Sequence, residues 1–337
     1  MKPKVYLTRK IASEALDMIS EVAEMRLWTG ALVIPYETLL EQVKDIDGLL
    51  CLLNEKVDAI IIDAAPRLKV ISNCAVGYDN IDIAEATKRG IPVGNTPGVL
   101  SESTADFTFA LLMAAARRVV EADKYTRNGL WQVPWEPTLL LGQDIHHSTL
   151  GIVGLGRIGT EIARRARGFQ MHILYHNRNR RRDVEKELGV EYIATLPELL
   201  SRSDFVSLHV PLSEETRKML GPAEFAMMKP TAILVNTSRG QVVDQKALYE
   251  ALKSGQIAAA AIDVAETEPI PMDDPLLTLK NIIVSPHICS ASTATRTKMA
   301  VMAAANLIAG LKGEMLPNCV NPEVFNRAVG KHDISNG

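Results

Sequence analysis

The stretch that decides the fold is Gly151-Ile-Val-Gly-Leu-Gly-Arg-Ile-Gly159. An apolar run, Thr149–Val153, leads into its glycines, and a helical pattern, Thr160–Phe169, follows them. A strand that turns into a helix through glycines brings backbone N–H groups and a helix N-terminus to the place where a pyrophosphate binds. The stretch therefore predicts a dinucleotide site, although a tight turn in another kind of α/β protein can have the same residues.

The end of the next strand indicates which dinucleotide is bound. The candidate strand Met171–His176 runs into Asn177-Arg-Asn-Arg-Arg-Arg182. An NAD site has Asp or Glu at this point for the ribose 2′-OH, whereas arginine accommodates a 2′-phosphate. Arg178 comes first after the strand and is the best candidate, although a solvated surface run is another interpretation of these arginines. We predict a preference for NADP(H), with NAD(H) possible.

Composition excludes several classes of protein. The chain has 337 residues, 47% of them hydrophobic and 23% charged, and a formal net charge of −3. These values are typical of a globular protein and give no reason to expect a nucleic-acid partner. Its 4 cysteines are scattered and have no metal-ligand spacing. No apolar signal core or run of about 18 apolar residues is present. We expect a cytoplasmic protein with no membrane partner and no metal.

Short apolar runs alternate with amphipathic segments along the whole chain. This alternation predicts an α/β fold made of doubly wound, Rossmann- or flavodoxin-like parallel sheets. The candidate strands of the first part are 4–8, 25–28, 48–53, 68–73 and 92–95. After the glycine stretch begins a second series of 6 candidate strands, at 149–153, 171–176, 205–210, 232–236, 259–264 and 282–285.

A long helix is predicted between the two series, from about Ser101 to Thr126. Ser101 and Thr104 offer N-cap side chains. The middle of the helix, Phe107–Ala116, is apolar nearly all round. Such a helix is either deeply buried or packed against another subunit. The following segment, Trp131–Leu141, has apolar residues without a clean period and is predicted to be an ordered loop.

Three strand ends in the second series carry side chains of complementary chemistry. Arg239 follows one strand, Glu268 follows the next, and His287 follows the last. In open α/β sheets the ligand crevice lies outside the carboxyl ends of the strands. Together the three side chains supply an anion binder, a proton donor and a carboxylate that keeps the donor charged.

With these motifs the chain resembles the D-isomer-specific 2-hydroxyacid dehydrogenases over nearly its whole length, and within them the glyoxylate/hydroxypyruvate reductase branch. The matching stretches are Asn73-Cys-Ala-Val-Gly-Tyr-Asp-Asn80, the glycine stretch 151–159, Leu234-Val-Asn-Thr-Ser-Arg-Gly240, Asp263-Val with Glu268-Pro269, and Ser285-Pro-His287. The resemblance implies NADPH-dependent reduction of small 2-oxo acids to D-2-hydroxy acids. It implies that Arg239 binds the substrate carboxylate, that His287 donates the proton, and that Glu268 pairs with His287.

The resemblance also implies further contacts. For the cofactor they are Thr104, Gly154, Leu155, Gly156, Arg157, Ile158, Gly159, Asn177, Arg178, Asn179, His209, Val210, Pro211, Thr216, Thr237, Ser238, Arg239, Asp263, His287 and Ser290. For the substrate they are Leu53, Val76, Gly77, Arg239 and His287, with Trp135 as a residue that reaches the neighbouring subunit's site or, equally, anchors its own loop. Related phosphite dehydrogenases carry Lys at the position of Val76, which counts against phosphite.

The layout implied by the resemblance is discontinuous. Residues 1–98 and 288–330 form a substrate domain, and residues 99–287 form an inserted NADP(H)-binding domain that carries the helix of a homodimer interface. Within the family, a 2-ketogluconate reductase and a D-3-phosphoglycerate dehydrogenase are alternatives. A dinucleotide-sensing regulator is the alternative from another class, and retention of Arg239, Glu268 and His287 favours catalysis over it.

Overall fold

A computed structural model describes residues 1–329 and divides the chain into two compact units. One unit contains residues 1–100 and 291–329, and the other contains residues 101–290. Residue 330, the end of the predicted substrate domain, lies outside the described residues. Both units are α/β, with a 5-stranded sheet in the first and a 7-stranded sheet in the second. The predicted fold class is confirmed: two parallel-sheet domains, the second inserted into the first.

The strands are short and are numbered in chain order. They are β1 Lys4–Leu7, β2 Glu24–Leu27, β3 Gly48–Cys51, β4 Val70–Asn73, β5 Val93–Gly94, β6 Thr149–Val153, β7 His172–His176, β8 Glu191–Tyr192, β9 Phe205–Leu208, β10 Ile233–Asn236, β11 Ala259–Ile262 and β12 Ile282–Val284. β8 is a correction to the sequence prediction, which has 6 strands in the second series. Its length of 2 residues is too short for an apolar run to reveal it.

The helices cover the faces of the two sheets. They are α1 Ser13–Val22, α2 Tyr36–Gln42, α3 Ala59–Asp63, α4 Ile83–Lys88, α5 Ser101–Ala116, α6 Val119–Arg127, α7 Arg157–Gly168, α8 Arg182–Leu188, α9 Leu196–Arg202, α10 Pro222–Met227, α11 Gln245–Ser254, α12 Thr293–Leu311 and α13 Glu323–Val329. Short 3₁₀ turns lie at Val43–Asp45, Gly240–Val242 and Pro275–Thr278.

The predicted helix 101–126 is wrong as one element. It is two helices, because Arg118 adopts a left-handed conformation (φ 53°) between α5 and α6. The backbone N–H of Gln143 donates to the carbonyl of Ala116 at 2.9 Å, and this carbonyl would otherwise continue the helical ladder. The apolar residues in the middle of α5 are buried within their own unit, as Phe109 and Leu112 show.

Both sheets have a point at which the chain order of the strands reverses. The order is β2-β1-β3-β4-β5 in the first sheet and β12-β11-β10-β9-β6-β7-β8 in the second. Neighbouring crossovers leave opposite faces of the sheet at the reversal, and a crevice opens at the carboxyl ends of the strands there. In the second unit this crevice lies between β6 and β9.

Candidate active site

The glycine turn after β6 has the close packing that its residues predict. Gly154 has a φ of 98°, and a Cβ at this position would lie 2.7 Å from the carbonyl carbon of His209. A Cβ on Gly159 would overlap the carbonyl oxygen of Gly154. Only glycine fits at these two positions, because the turn packs against both the loop after β9 and the first turn of α7.

The start of α7 is open toward the crevice. Gly156 is the N-cap of this helix, and no described atom lies within 4 Å of the position that a Cβ on Gly156 would take. Arg157 is exposed beside it, and Ile158 is half-buried. The unpaired N–H groups of a helix start attract a phosphate, and the missing Cβ leaves space for it. The turn thus fits a dinucleotide pyrophosphate.

The hydroxyl of Thr104, in the first turn of α5, is also unsatisfied. Its Oγ1 is buried and has no hydrogen-bond partner among the residues that the structure describes. Buried hydroxyls are nearly always paired, so this atom is available to a bound polar group. In the next turn, Thr108 Oγ1 donates to the carbonyl of Thr104 at 2.7 Å and accepts from Thr237 Oγ1 at 2.8 Å.

The loop after β7 separates its arginines into two kinds. Arg180 and Arg181 form ion pairs with Glu185 and Asp183, at 2.8 Å and 2.7 Å. Arg178 is exposed and makes no hydrogen bond or ion pair with the described residues. Asn177, at the position where an NAD site has a carboxylate, donates from Nδ2 to the carbonyl of Asn179 at 2.8 Å. Arg178 is therefore a cation with no counter-ion in its own loop.

The loop after β9 lies on the other side of the crevice. Burial lowers the pKa of His209 to about 3, so its ring is neutral, and Nε2 lies 2.7 Å from Ser207 Oγ. Thr216 Oγ1 donates to the carbonyl of Pro211 at 2.7 Å, which closes this loop on itself. The Ser213 hydroxyl and, to a smaller extent, the charge of Arg178 lower the pKa of Glu215.

Arg239 is positioned by the turn after β10. Asn236 Nδ2 donates to the Arg239 carbonyl at 2.9 Å, and Asn236 Oδ1 accepts from the backbone N–H of Ser238 at 3.0 Å. Gly240 follows, and a Cβ there would overlap the backbone of Ala265. The side chain of Arg239 is half-buried, and its Nη1 donates to the carbonyl of Ser238 at 2.9 Å.

Glu268 and His287 are in direct contact. Glu268 Oε2 lies 2.7 Å from His287 Nδ1, and Glu268 Oε1 accepts from the backbone N–H of Ala265 at 3.1 Å. Because β10, β11 and β12 are parallel neighbours, Arg239, Glu268 and His287 all lie at the carboxyl edge of one sheet. The contact through Nδ1 leaves Nε2 of His287 for another partner.

Asp263 holds the segment that carries His287. Its Oδ1 accepts from Ser285 Oγ at 2.6 Å and from the backbone N–H of Ile288 at 2.9 Å, and its Oδ2 accepts from the N–H of Cys289 at 2.7 Å. The carbonyl of Asp263 accepts from the backbone N–H of His287, whose φ is 54°. Asp263 is 1% exposed. A carboxylate with these bonds fixes a left-handed backbone that a histidine rarely adopts.

The candidate substrate residues of the first unit follow β3 and β4. Leu53, Val76 and Gly77 are half-buried. Asn73 Nδ2 donates to the carbonyl of Gly77 and Asn95 Nδ2 to that of Val76, both at 2.8 Å. The backbone N–H groups of residues 75–77 donate to none of the described residues. Three successive N–H groups without a partner suit an anion.

Two further predicted residues differ in exposure. Ser290 is 7% exposed, whereas Trp135 is 77% exposed. Among residues 1–329, no helix is long and apolar enough to cross a membrane, and no group of His, Cys, Asp or Glu side chains forms a metal site.

Sequence reasoning missed the side chains that hold the loops. Asp263 is predicted to contact the cofactor, and the structure adds a role that its sequence context does not signal, because both of its carboxylate oxygens bind the segment 285–289. Tyr175 and Glu185 were not singled out, yet they bind the arginine-rich loop. A buried tyrosine at the end of β7, shortly before a charged loop, is the signal that the sequence offers.

Comparisons with known proteins agree with these features. The family profile described as "D-isomer specific 2-hydroxyacid dehydrogenase, NAD binding domain" matches residues 109–289. The chain is 59% identical to a glyoxylate reductase of Korarchaeum cryptofilum over 324 residues, which cover 96% of this chain and 97% of that protein.

Solved structures extend the similarity to the fold. The TT0316 protein of Thermus thermophilus is 45% identical, with a TM-score of 0.89, covering 94% of this chain and 99% of that one. An NADPH-dependent glyoxylate/hydroxypyruvate reductase of Sinorhizobium meliloti, in complex with NADP and malonate, is 32% identical. Its TM-score is 0.83, and the alignment covers 96% of this chain and 98% of that one.

Proposed function

The chain belongs to the D-isomer specific 2-hydroxyacid dehydrogenases, and we propose that it reduces glyoxylate and hydroxypyruvate with NADPH, giving the D-2-hydroxy acid where a stereocentre forms. The observation that carries this proposal is the pair of His287 and Glu268, held at the carboxyl edge of a dinucleotide-type sheet. The names of the relatives above, glyoxylate reductase and glyoxylate/hydroxypyruvate reductase, support the choice of substrates.

In this proposal His287 is the proton donor. The dinucleotide, when bound, supplies a hydride for the carbonyl carbon. Nε2 of His287 gives its proton to the carbonyl oxygen, and Glu268, bonded to Nδ1, stabilises the imidazolium and fixes the ring before transfer. For the reverse reaction the same nitrogen takes the hydroxyl proton. The carboxylate therefore orients the ring for both directions.

Arg239 binds the substrate carboxylate in this proposal. A guanidinium matches a carboxylate with two parallel N–H bonds, which also fixes the orientation of the neighbouring carbonyl. In the first unit, the N–H groups of residues 75–77 donate to none of the described residues, which supports a second carboxylate contact at Val76 and Gly77. Leu53, in an apolar loop, is proposed to limit the size of the substrate side chain.

The proposed cofactor preference depends on Arg178. No carboxylate stands at Asn177 to bind a ribose 2′-OH, and Arg178 has no counter-ion among the described residues of its loop. Gly156 with the start of α7, and the unsatisfied hydroxyl of Thr104, support binding of the rest of the dinucleotide. We expect a higher kcat/KM with NADPH than with NADH, and loss of this preference in Arg178→Ala.

The exposed apolar residues support a homodimer. Trp131, Val133, Trp135 and Val119 are each at least half exposed, at 58%, 55%, 77% and 54%. Contiguous exposed apolar patches mark interaction surfaces, and Trp131, Val133 and Trp135 supply three such side chains within one loop. A tryptophan that anchored its own loop would be buried, so its exposure favours a role for Trp135 at the partner's site. Light scattering tests the dimer, and Trp135→Ala tests the role through the KM for hydroxypyruvate.

A panel of 2-oxo acids tests the reaction. NADPH oxidation is followed with glyoxylate, hydroxypyruvate, 2-ketogluconate and 3-phosphohydroxypyruvate, so that the family alternatives are measured beside the proposed substrates. We expect His287→Gln to lower kcat by about 10²- to 10⁴-fold. The matched control is His146→Gln, since His146 also lies near a carboxylate, Asp144 at 3.8 Å, but precedes the amino end of β6. Full kcat in His287→Gln would refute the proton donor.

A further inference from the structure

We propose that Tyr175, Glu185 and Arg181 form a strap that holds the arginine-rich loop to the glycine turn and, by positioning Arg178, sets the preference for NADPH over NADH. This inference rests on the proposed use of NADPH. The strap residues are positioning residues, because the contacts that define them are with the protein and not with the dinucleotide.

The first part of the strap is a hydrogen-bond chain through the hydroxyl of Tyr175. This hydroxyl donates to Glu185 Oε1 at 2.5 Å and accepts from the backbone N–H of Arg181 at 2.8 Å. Tyr175 is fully buried in β7, so its ring cannot follow the loop. The loop that contains Arg178 is therefore fixed at its far end to the rigid sheet.

The second part joins this loop to the pyrophosphate turn. Arg181 Nη1 donates to the carbonyl of Leu155 at 3.1 Å, while Nε and Nη2 bind the two oxygens of Asp183 at 3.0 and 2.7 Å. Leu155 lies between Gly154 and Gly156 in the glycine turn. The strap thus fixes the distance between the turn that suits the pyrophosphate and the loop that suits the ribose.

The strap also decides which arginine remains available. Glu185 binds Nε and Nη2 of Arg180, both at 2.8 Å, and Arg180 lies over the ring of Tyr192, 5.3 Å from its centroid. Arg180 and Arg181 are thereby neutralised by carboxylates. Arg178 is left between two fixed points of the loop without a carboxylate of its own.

The protonation states of the strap are constant over the working range of pH. Burial, with the bond to Glu185, raises the pKa of Tyr175 to about 12. Bonds from Arg180 and Tyr175 lower the pKa of Glu185 to about 2. The hydroxyl therefore remains a donor and the carboxylate an acceptor, so the loop keeps one geometry.

The test is direct binding of NADPH and NADH to the purified full chain, followed by dinucleotide fluorescence. Tyr175→Phe removes the hydroxyl and keeps the ring. We expect its Kd for NADPH to rise about 5- to 10-fold and its Kd for NADH to change less than 2-fold. In an Arg178→Ala background, Tyr175→Phe should leave the ratio of the two Kd values unchanged, because the strap acts through Arg178.

The matched control is Tyr192→Phe. Its ring packs on Tyr175, with centroids 5.4 Å apart, so the same atom is removed beside the strap but outside its hydrogen bonds. We expect both Kd values to remain those of the unmodified protein. A change in the Kd ratio of Tyr192→Phe equal to that of Tyr175→Phe would overturn the strap, since loss of packing would then account for both.

The remaining outcomes separate the strap from the proposed function. Equal changes for both dinucleotides in Tyr175→Phe, or no change, overturn the strap alone. Binding of NADPH with the expected ratios but no turnover of any 2-oxo acid overturns the proposed reaction and supports the strap. No preference for NADPH in the unmodified protein overturns both the cofactor assignment and the strap.

Discussion

The two units hold the loops at the carboxyl edges of their sheets in different ways. In the first unit the side chains are mostly amides. Asn80 Nδ2 donates to the carbonyls of Leu52 and Glu55, both at 2.9 Å, and Asn73 Nδ2 donates to that of Gly77. In the second unit they are mostly carboxylates, such as those of residues 263, 268 and 185, which accept from N–H and O–H groups.

The difference determines what each loop presents. An amide that donates to carbonyl oxygens leaves backbone N–H groups available, as at residues 75–77, and carries no charge. A carboxylate takes up N–H groups and introduces a charge that holds a histidine or an arginine in place. The first unit is thus suited to present neutral dipoles to an anion, and the second to orient ionisable side chains.

The largest effect is expected for Asp263→Ala. This change removes the acceptor of the N–H groups of Ile288 and Cys289, and it leaves Ser285 Oγ with only the longer of its two hydrogen bonds, to the carbonyl of Ile262. Loss of the acceptor of a buried donor destabilises by about 1–3 kcal/mol, and for these part-buried donors together with the burial of Asp263 we expect about 3 kcal/mol in total by urea unfolding. Misplacement of His287 should lower kcat on the order of 10²-fold.

Asp263→Asn sharpens this test, because it replaces a carboxylate that holds a loop with an amide of the same size. The amide keeps one acceptor oxygen, but its NH2 group faces an N–H or O–H donor of the segment 285–289. We therefore expect Asp263→Asn to lose less stability than Asp263→Ala and more than the control. The control is Ser285→Ala, which removes only one of the hydrogen bonds. An unfolding free energy of Asp263→Ala within about 1 kcal/mol of the unmodified protein would contradict the role of this carboxylate.

Asn80→Ala is expected to have a smaller effect of about 2 kcal/mol, since two carbonyls lose a donor. Its KM for the 2-oxo acid should rise about 10-fold, while the Kd for NADPH is unchanged. Asn80→Asp reverses the polarity and places a carboxylate against two carbonyl oxygens. It should be less stable than Asn80→Ala at pH 7 and recover toward pH 4, where the carboxyl protonates. Greater stability of Asn80→Asp than of Asn80→Ala at pH 7 would contradict the contrast between units.

The sequence predicted the parts of the fold that depend on apolar periodicity. The strands that are easiest to recognise have residues buried on both faces, as in β9 and β10. β8 was missed, and the break at Arg118 was missed because a left-handed residue within a helical pattern has no compositional signal. That break depends on Gln143, 25 residues later, which takes the carbonyl of Ala116.

The residues of the site also divide into those that the sequence predicts and those that it does not. Arg239, Glu268 and His287 were assigned from strand ends and a resemblance, and the structure brings Glu268 and His287 into contact. The hydrogen bonds of Asp263 and Asn80 join segments that are distant in sequence, whereas those of Tyr175 close a loop onto its own strand. Their partners are set by the turn geometry of the folded chain, which no local pattern encodes. The roles of all these residues remain predictions that the variants above test.

The smallest expected effect is a pH dependence of stability that differs between the two units. All described histidines lie in the second unit, and burial lowers the pKa of His209 to about 3. In the unfolded chain this pKa is about 6.5, so between pH 6.5 and 3 the unfolded state binds a proton that the folded state does not. The free energy of unfolding should therefore decrease as the pH is lowered, and at pH 5 it should be about 1–2 kcal/mol smaller than at neutral pH. Hydrogen exchange should show this loss in the second unit first.

His209→Gln should remove this dependence, because glutamine keeps a partner for Ser207 but does not titrate. The control is His172→Gln, since the side chain of His172 is exposed. If the slope of unfolding free energy against pH in His209→Gln equals that of the unmodified protein, another group carries the acid sensitivity. If hydrogen exchange at pH 5 instead becomes faster by the same factor in both units, the contrast between amide and carboxylate side chains has no effect on stability.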